Sequence, residues 1–583
     1  VSGEAGGEAG ANGGASGETG TGGEAGASGG RGGGGASGEG GSVASGAAGG
    51  PAGASGTSGG DTSTGGTAGA GGSNTAGSAG SAGTGGSNTA GNAGNGGTAG
   101  TGGGTLVSLL VTSAPGAYWV TNGTLADSTA NANVLVDDTV AAQTWEGFGG
   151  TFNELGWTHL TTQTMKDTAI RLLFSADDGC NFAWGRIPMG ASDYASSRYT
   201  LDDTGSDVVP NSGESNRPPA DLALSSFSLT RDGVALIPYI RAAQAVKPNL
   251  RFWASPWTPP VWMKTGYRTT NAGSGGSAVR PSYFDGGTMK NDSATLASYA
   301  QYFVKFVEGY RAQGINVEVV SPQNEPGYDQ NYPSCLWDSA TYTTFVGQHL
   351  GPAMASLGPP VKIMLGTLSN AGDLGRNDID LANAVLMNAT GRAYVSLAGV
   401  QWGVLDRVNG GTRFDDLPSW ATSHKCGNYP WNPSGFPAYN PAQAPNDQAY
   451  AVESWGYIKR AIAQGDVTTY SAWNMVLDRV GLGIDTSRDW RQNALLVANQ
   501  GTVTPTPTYY VFRHLSQYVA PGASVLETTG GDAVAFKNPD GSLVAVMFNS
   551  GQANPSYVVD LGGTKFSFAM PANGWATVKY APE

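Results

Sequence analysis

The sequence predicts a (β/α)8 TIM barrel with a side β-sandwich, preceded by a disordered Gly/Ser/Thr-rich tail. Three observations predict it. Residues 1–104 contain no aromatic residue, and all fifteen tryptophans lie beyond them. Between 144 and 506 eight apolar runs alternate with helical segments, the pattern of a parallel barrel. On either side, 105–143 and 507–583 carry short β-type runs broken by turn residues, which read as strands of one sandwich built from both ends of the chain.

The tail comes first. A segment of Gly, Ala, Ser, Thr and Asn buries too little apolar surface to offset its chain entropy, so 1–104 reads as a disordered linker. Near-copies of Gly-Gly-Ser-Asn-Thr-Ala-Gly at Gly71 and Gly85 lack a repeating apolar face and are linker repeats, not a solenoid. Leu106–Val111, Tyr118–Thr121 and Val134–Val136 follow as sheet strands.

The eight barrel strands expected are Trp145–Gly149, Phe182–Pro188, Leu250–Ala254, Val317–Ser321, Val361–Leu365, Val395–Val400, Ser419–Thr422 and Thr468–Trp473. Among the helices between them, 292–314 is the clearest. Asp292 or Ser293 is its candidate cap, and Leu296, Tyr299, Phe303, Phe306, Val307 and Tyr310 recur at helical spacing as a core face. From Pro507 the texture is β again. Asn538-Pro539-Asp540-Gly541 supplies the turn of a hairpin between Val534–Phe536 and Leu543–Phe548.

Charge and cysteines narrow the function. A formal net charge of −14 argues against nucleic acid or an anionic membrane surface as partner. No apolar run after position 104 is long enough to span a membrane. Cys180, Cys335 and Cys426 are far apart, allow at most one disulfide, and have no metal-ligand spacing. Val1 is not an initiator methionine, and a long tether precedes a catalytic-sized domain; both point to a secreted or cell-surface tethered protein. A monomer is expected.

The chemistry gathers at the strand ends. Asn316–Ser321 is an apolar, β-branched run that stops at Asn324-Glu325-Pro326, which places a carboxylate where barrels keep their chemistry. The other strand ends present Asn153 and Glu154, Asp193, Trp257 and Trp262, Gln401 and Trp402, and Trp473 with Asn474. A tryptophan alone is usually core. Several of them just past strand ends, beside amides and carboxylates, suit a sugar, whose hydroxyls need polar partners and whose C–H face needs a flat aromatic one.

Several stretches carry a resemblance. They are Gly147-Phe148-Gly149-Gly150, Arg186-Ile187-Pro188-Met189 with Ser192-Asp193-Tyr194, Ser255-Pro256-Trp257-Thr258, Gln323-Asn324-Glu325-Pro326 and Ala472-Trp473-Asn474. From about Gly147 to the C-terminus the sequence resembles glycoside hydrolase family 30, the clan-A family that includes glucosylceramidases. The resemblance implies a retaining β-glycosidase with Glu325 as acid/base and Asn324 on the sugar 2-hydroxyl. It places Glu154 where glucosylceramidases carry a sugar-binding aspartate, and Asp193, Trp257, Trp402 and Trp473 among the substrate-binding residues. No cofactor is implied, because displacement at an anomeric centre needs a proton donor and a nucleophile.

One position departs from the family. Its attacking glutamate ends strand seven, and the register puts Ser423 there, in Ala421-Thr422-Ser423-His424-Lys425-Cys426-Gly427. A serine hydroxyl is shorter and un-ionised at neutral pH. Four readings stay open: a replaced glutamate in a site that binds but turns over poorly, Glu453 or Asp478 serving instead, a serine nucleophile activated by His424, or a water-mediated inverting route. The third is disfavoured because adjacent strand residues point to opposite faces. A binding protein without turnover is the competing function. The substrate is left open, although Gln401-Trp402-Gly403 replaces the His-Trp-Tyr of animal glucosylceramidases. The Tyr-rich insert Tyr328–Trp337 and the loop Gly266–Asp285 are candidates for further subsites.

Overall fold

The computed structural model describes residues 108–205, 217–266, 268–270, 277–279, 282–372, 377–425, 446–485 and 490–582. The linker reading of 1–104, Cys426 and much of the loop Gly266–Asp285 lie outside them.

Eight parallel strands close into a barrel. They are β1 (Gly147–Thr151), β2 (Trp184–Met189), β3 (Arg251–Pro256), β4 (Val317–Val320), β5 (Lys362–Leu368), β6 (Val395–Val400), β7 (Ser419–Ala421) and β8 (Val467–Asn474). Each overlaps one of the eight expected runs. Closure is made by β8 on β1, with Thr469 opposite Gly147 and Ala472 opposite Gly150. Period-two alternation sets the interior. Trp184, Trp253, Val319, Met364, Leu397 and Trp420 fill one level of the barrel as a separate apolar cluster. Two residues further along β2 and β3, Arg186 and Ser255 meet each other by a hydrogen bond above that plug. The apolar level is thus the floor on which the polar site stands.

The helix Ser293–Ala312 is capped by Asp292, whose carboxylate accepts from Thr295 N–H at 2.9 Å. Its Tyr and Phe residues are buried in the main core. The expected hairpin also forms, with Asp532–Lys537 antiparallel to Leu543–Asn549.

The two ends of the chain share one mixed sheet. Leu109–Ala114 pairs with Gly574–Tyr580, and Val134–Trp145 lies between Ala523–Thr529 and Asn554–Leu561. The sheet curls on itself, so that Phe566 meets Tyr580 at 5.1 Å between ring centres and an apolar cluster fills the fold. The side sandwich is therefore a single hydrogen-bonded sheet among the described residues.

Two boundaries differ from the expectation. Trp145 ends a sheet strand instead of opening β1, and the chain turns into the barrel at Gly147. Gly147 has φ +124°, and a Cβ there would meet the Ala183 Cβ at 2.8 Å, so only glycine makes this corner. Second, Pro507–Ser516 is a helix, not β structure. Its aromatic run Tyr509-Tyr510-Val511-Phe512 mimics a strand, but Thr506 accepts from Tyr509 N–H as N-cap and Pro507 occupies the first turn.

This helix joins barrel to sheet through His514. Its ring is fully buried between the hydroxyls of Thr577 (2.7 Å) and Ser113 (2.8 Å). Burial, with the Arg513 charge second, pulls the imidazole down to about 3 from an ordinary value of 6.5. The folded ring stays neutral where the unfolded one takes a proton, so its contribution is whole above pH 6.5 and is lost as pH falls towards 3. His514→Leu is expected to cost about 2 kcal/mol in urea denaturation at pH 7, because the Thr577 and Ser113 hydroxyls each lose their buried bond to the ring. His514→Gln is expected to make the loss of stability between pH 6.5 and 5 shallower.

Candidate active site

The site lies at the C-terminal mouth of the barrel. β4 ends at Val320, and the segment after it carries Asn324 to an isolated bridge with Thr367 on β5. Glu325 follows with φ +50°, a conformation that non-glycine residues hold only when their surroundings impose it. Trp402, opening the helix after β6, also has φ +50°. Both strained residues line the same recess.

Seven of the eight residues expected at the site meet there: Asp193, Trp257, Asn324, Glu325, Trp402, Ser423 and Trp473. Trp257 and Trp473 stack at 5.3 Å, giving the recess a flat apolar wall. The eighth is set apart. Glu154 does not line the recess; its carboxylate takes Arg231 Nε at 3.1 Å and the Ser196 N–H at 2.8 Å. It ties the loop that carries Asp193 to Arg231 and is not placed to touch a sugar there. Of the other strand-end residues, Trp262 is core, its Nε1 donating to Asp202 Oδ2 at 2.9 Å. Asn153 and Asn474 bond each other at 3.1 Å, and Gln492 Oε1 accepts from both Asn474 and the Trp473 indole. That chain holds the Trp473 ring against Trp257.

Glu325 is the buried acid of the recess. Gln401 Nε2 donates to one oxygen at 2.9 Å, and the Tyr332 hydroxyl to the other at 3.1 Å. Burial raises its carboxyl above the ordinary value, against the Gln401 and Tyr332 hydrogen bonds and the Arg186 charge, which favour the ionised form. A buried carboxyl that holds its proton more tightly than an ordinary glutamate is of the kind that serves as a general acid. Tyr332→Phe removes one of the bonds that favour ionisation. In a catalytically competent form it is expected to move the alkaline limb of the pH–rate profile upward, a shift that a plain profile over pH 4–9 would read.

Arg186 organises the floor. It is 1 % exposed, and its nitrogens donate to Ser255 Oγ (2.9 Å), Asn324 Oδ1 (2.6 Å) and Ser423 Oγ (2.9 Å). Its guanidinium stands 4.3 Å over the Trp257 ring and 4.7 Å over Trp253. Asn324 is thereby fixed, its Oδ1 held by Arg186 and Thr367.

The two carboxylates considered in place of residue 423 lie elsewhere. Glu453 is on the helix Gln448–Ala463 and pairs with Lys425; Asp478 accepts from the backbone of Val480 and Gly481. Neither lines the recess. His424 turns away from Ser423, its ring held by Tyr470 Oη (2.7 Å) and Ser454 Oγ (2.9 Å).

The sequence singles out neither Arg186, which stands in it only within the Arg186–Met189 stretch, nor Tyr332, which stands in it only within the insert Tyr328–Trp337, and it offers Gln401 as a strand-end residue. A charged residue two places from Trp184 in an otherwise apolar strand faces the barrel interior, and that was the available signal for Arg186. Tyr332 belongs to the Tyr-rich insert directly after Asn-Glu-Pro.

A parallel barrel whose mouth gathers buried carboxyls, a buried arginine and stacked indoles fits a glycoside hydrolase. The chain belongs to glycosyl hydrolase family 30, whose TIM-barrel domain model matches residues 145–412 and whose β-sandwich domain model matches 522–578. The family is one of retaining β-glycosidases. The chain is 28% identical over 448 residues to putative glucosylceramidase 4 of Caenorhabditis elegans, covering 73% of this chain and 78% of that one. It is 27% identical over 470 residues to an endo-1,6-β-D-glucanase of Aspergillus fumigatus, covering 76% and 87%. Among solved structures, the endo-β1,6-glucanase BT3312 superposes with a TM-score of 0.66 at 21% identity, over 82% of this chain and 99% of that one. That likeness is one of fold.

Proposed function

We propose that this chain holds a β-linked glycan with Glu325 as general acid/base, and that Ser423 occupies the position of the attacking carboxylate. In that form it binds its substrate and turns it over poorly. The observation that carries the reading is the hydrogen bond from the buried Arg186 to Ser423 Oγ at 2.9 Å, in the recess that Glu325 lines. A retaining site needs a carboxylate about 5–5.5 Å from the acid, on the far side of the anomeric carbon. A guanidinium aimed at that spot would orient such a carboxylate and hold it ionised.

Asn324, Trp257 and Trp473 bind the sugar in this reading, and Asp193 takes its hydroxyls. The tether at 1–104 favours a glycan outside the cell, and relatives named as endo-1,6-β-glucanases make a β-1,6-linked glucan the first polymer to try. The test is an assay of the chain and its Ser423→Glu variant on aryl β-glucoside, β-xyloside and β-galactoside, and on β-1,6- and β-1,4-glycans. Hydrolysis confined to the variant supports the reading. An inert variant on every substrate places the nucleophile elsewhere. Normal turnover by the unmodified chain removes the impaired-site reading altogether.

A further inference from the structure

A chain of hydrogen bonds runs from the end of β7 to the buried acid. Gln401 Nε2 donates to Glu325 Oε1 at 2.9 Å, and the Thr422 hydroxyl lies 2.9 Å from Gln401 Oε1. All three side chains are buried: Thr422 is 1 % exposed, Gln401 2 % and Glu325 4 %. Thr422 directly follows β7 and Gln401 directly follows β6, so two strands meet the acid through one amide.

An amide side chain has a donor end and an acceptor end of nearly the same shape, and shape alone does not choose between them. The hydroxyl does. Thr422 has one proton to give and two acceptors in reach, Gln401 Oε1 at 2.9 Å and the Val400 carbonyl at 3.2 Å. That carbonyl already takes the Thr422 N–H at 3.0 Å, and the nearer amide oxygen takes the hydroxyl proton. With Oε1 engaged there, Nε2 is the end that faces the carboxyl.

Packing sets the direction of the hydroxyl. A Cβ on Gly399 would meet the Thr422 Cγ2 methyl at 2.9 Å, so the methyl occupies space that only a glycine leaves on β6. A β-branched side chain is stiff at χ1, and seating its methyl aims its hydroxyl as well.

We propose that Thr422 is a positioning residue for the acid: its hydroxyl selects which end of the Gln401 amide faces Glu325, and keeps a donor there instead of an acceptor. The proposal deepens the reading of Glu325 as acid/base and rests on it. A carbonyl oxygen turned to Glu325 would accept the acid's proton and hold it from the leaving oxygen. An N–H in that place leaves the proton free for transfer, and it supports the carboxylate that acts as base in the second step. The Gln401 bond favours ionised Glu325 against the effect of burial. Without the Thr422 hydroxyl the amide loses its anchor, its N–H bond to Glu325 weakens or reverses, and either change raises the carboxyl further.

The test is an infrared pH titration of the full chain and its variants, in which the Glu325 carboxyl band is the one lost in Glu325→Gln. Thr422→Val is expected to raise the midpoint by about 0.5–1 pH unit, the size of one hydrogen bond. Thr422→Ala is expected to move it the same way, and Thr422→Ser, which keeps the hydroxyl, to return it towards the parent value. Gln401→Met also raises it, and adding Thr422→Val to Gln401→Met is expected to change nothing further. An additive shift in that double variant would overturn the proposal, because Thr422 would then act by a route other than Gln401. A midpoint unmoved in both Thr422→Val and Thr422→Ala would overturn it too. The titration needs no turnover, so failure of the underlying reading looks different: Glu325→Gln, made in Ser423→Glu, leaves hydrolysis of a β-linked glucan unchanged.

Discussion

Ser423→Glu is expected to raise hydrolysis of an activated aryl β-glycoside by about 10⁴-fold or more over the unmodified chain. The magnitude comes from what the substitution restores in the proposed reading, where Ser423 stands at the nucleophile position. A retaining displacement divides one difficult step into two easier ones through a covalent glycosyl-enzyme, and without the attacking carboxylate neither step exists. In that reading the other groups of the displacement already line the recess. Arg186 donates to Ser423 Oγ at 2.9 Å, and Glu325, whose carboxyl burial holds above its ordinary value, lines the same recess. The indole wall of Trp257 and Trp473 is packed. The new carboxylate meets a buried guanidinium that now has only neutral hydrogen-bond partners, so the substitution repairs an electrostatic imbalance instead of creating one. The folded variant should accordingly melt no lower than the parent. Progress curves with the dinitrophenyl glycoside give the rate, and proton NMR of the first product gives retention of the β configuration. An inverted first product would mean that the introduced carboxylate acts as a base on water and not as the nucleophile.

How the fold was legible explains how the site was only partly so. The barrel strands are long apolar runs with abrupt polar ends, and burial on both faces leaves no other reading for Val317–Val320 or Val395–Val400. Asp292 and the Asn538–Gly541 turn are local signals whose chemistry acts within a few residues. The helix Pro507–Ser516 failed because its aromatic run carries β propensity, while the deciding features, Thr506 and Pro507, lie at its edge. The site posed a different difficulty. Strand ends locate residues to within one turn of loop, and that sufficed for Asn324, Glu325, Trp257 and Trp473. It could not show where a long side chain goes: Glu154 lies next to Asn153, which is tied into the Trp473 network, yet its carboxylate reaches Arg231. Nor could it show that Tyr332, seven residues past Glu325, folds back to donate to it. Such pairings are set by loop closure, which leaves no periodic trace in the chain.

Glu325→Gln, made in the Ser423→Glu background, is expected to split substrates by their leaving groups. Turnover of an alkyl glycoside or a β-linked glucan should fall by about 10²–10⁴-fold, the usual contribution of a positioned proton donor. For a dinitrophenyl glycoside, which departs without protonation, formation of the glycosyl-enzyme should barely change; its hydrolysis, which needs Glu325 as base, should then limit the rate, and the intermediate should accumulate. Mass spectrometry of the stalled protein would show the added sugar. The pH dependence follows from the same carboxyl. Its value is raised by burial, so the acid form persists to higher pH than a free glutamate allows, and activity with Glu325 intact is lost as pH rises through that raised value. A second carboxylate at position 423 brings a like charge into the recess and pushes Glu325 higher still. The alkaline limb should therefore belong to Glu325 and vanish in Glu325→Gln, while the acid limb, set by the Arg186-paired nucleophile, remains. An alkaline limb that survives Glu325→Gln would assign proton donation to another group, and Asp193, the other carboxyl lining the recess, would be the residue to replace next.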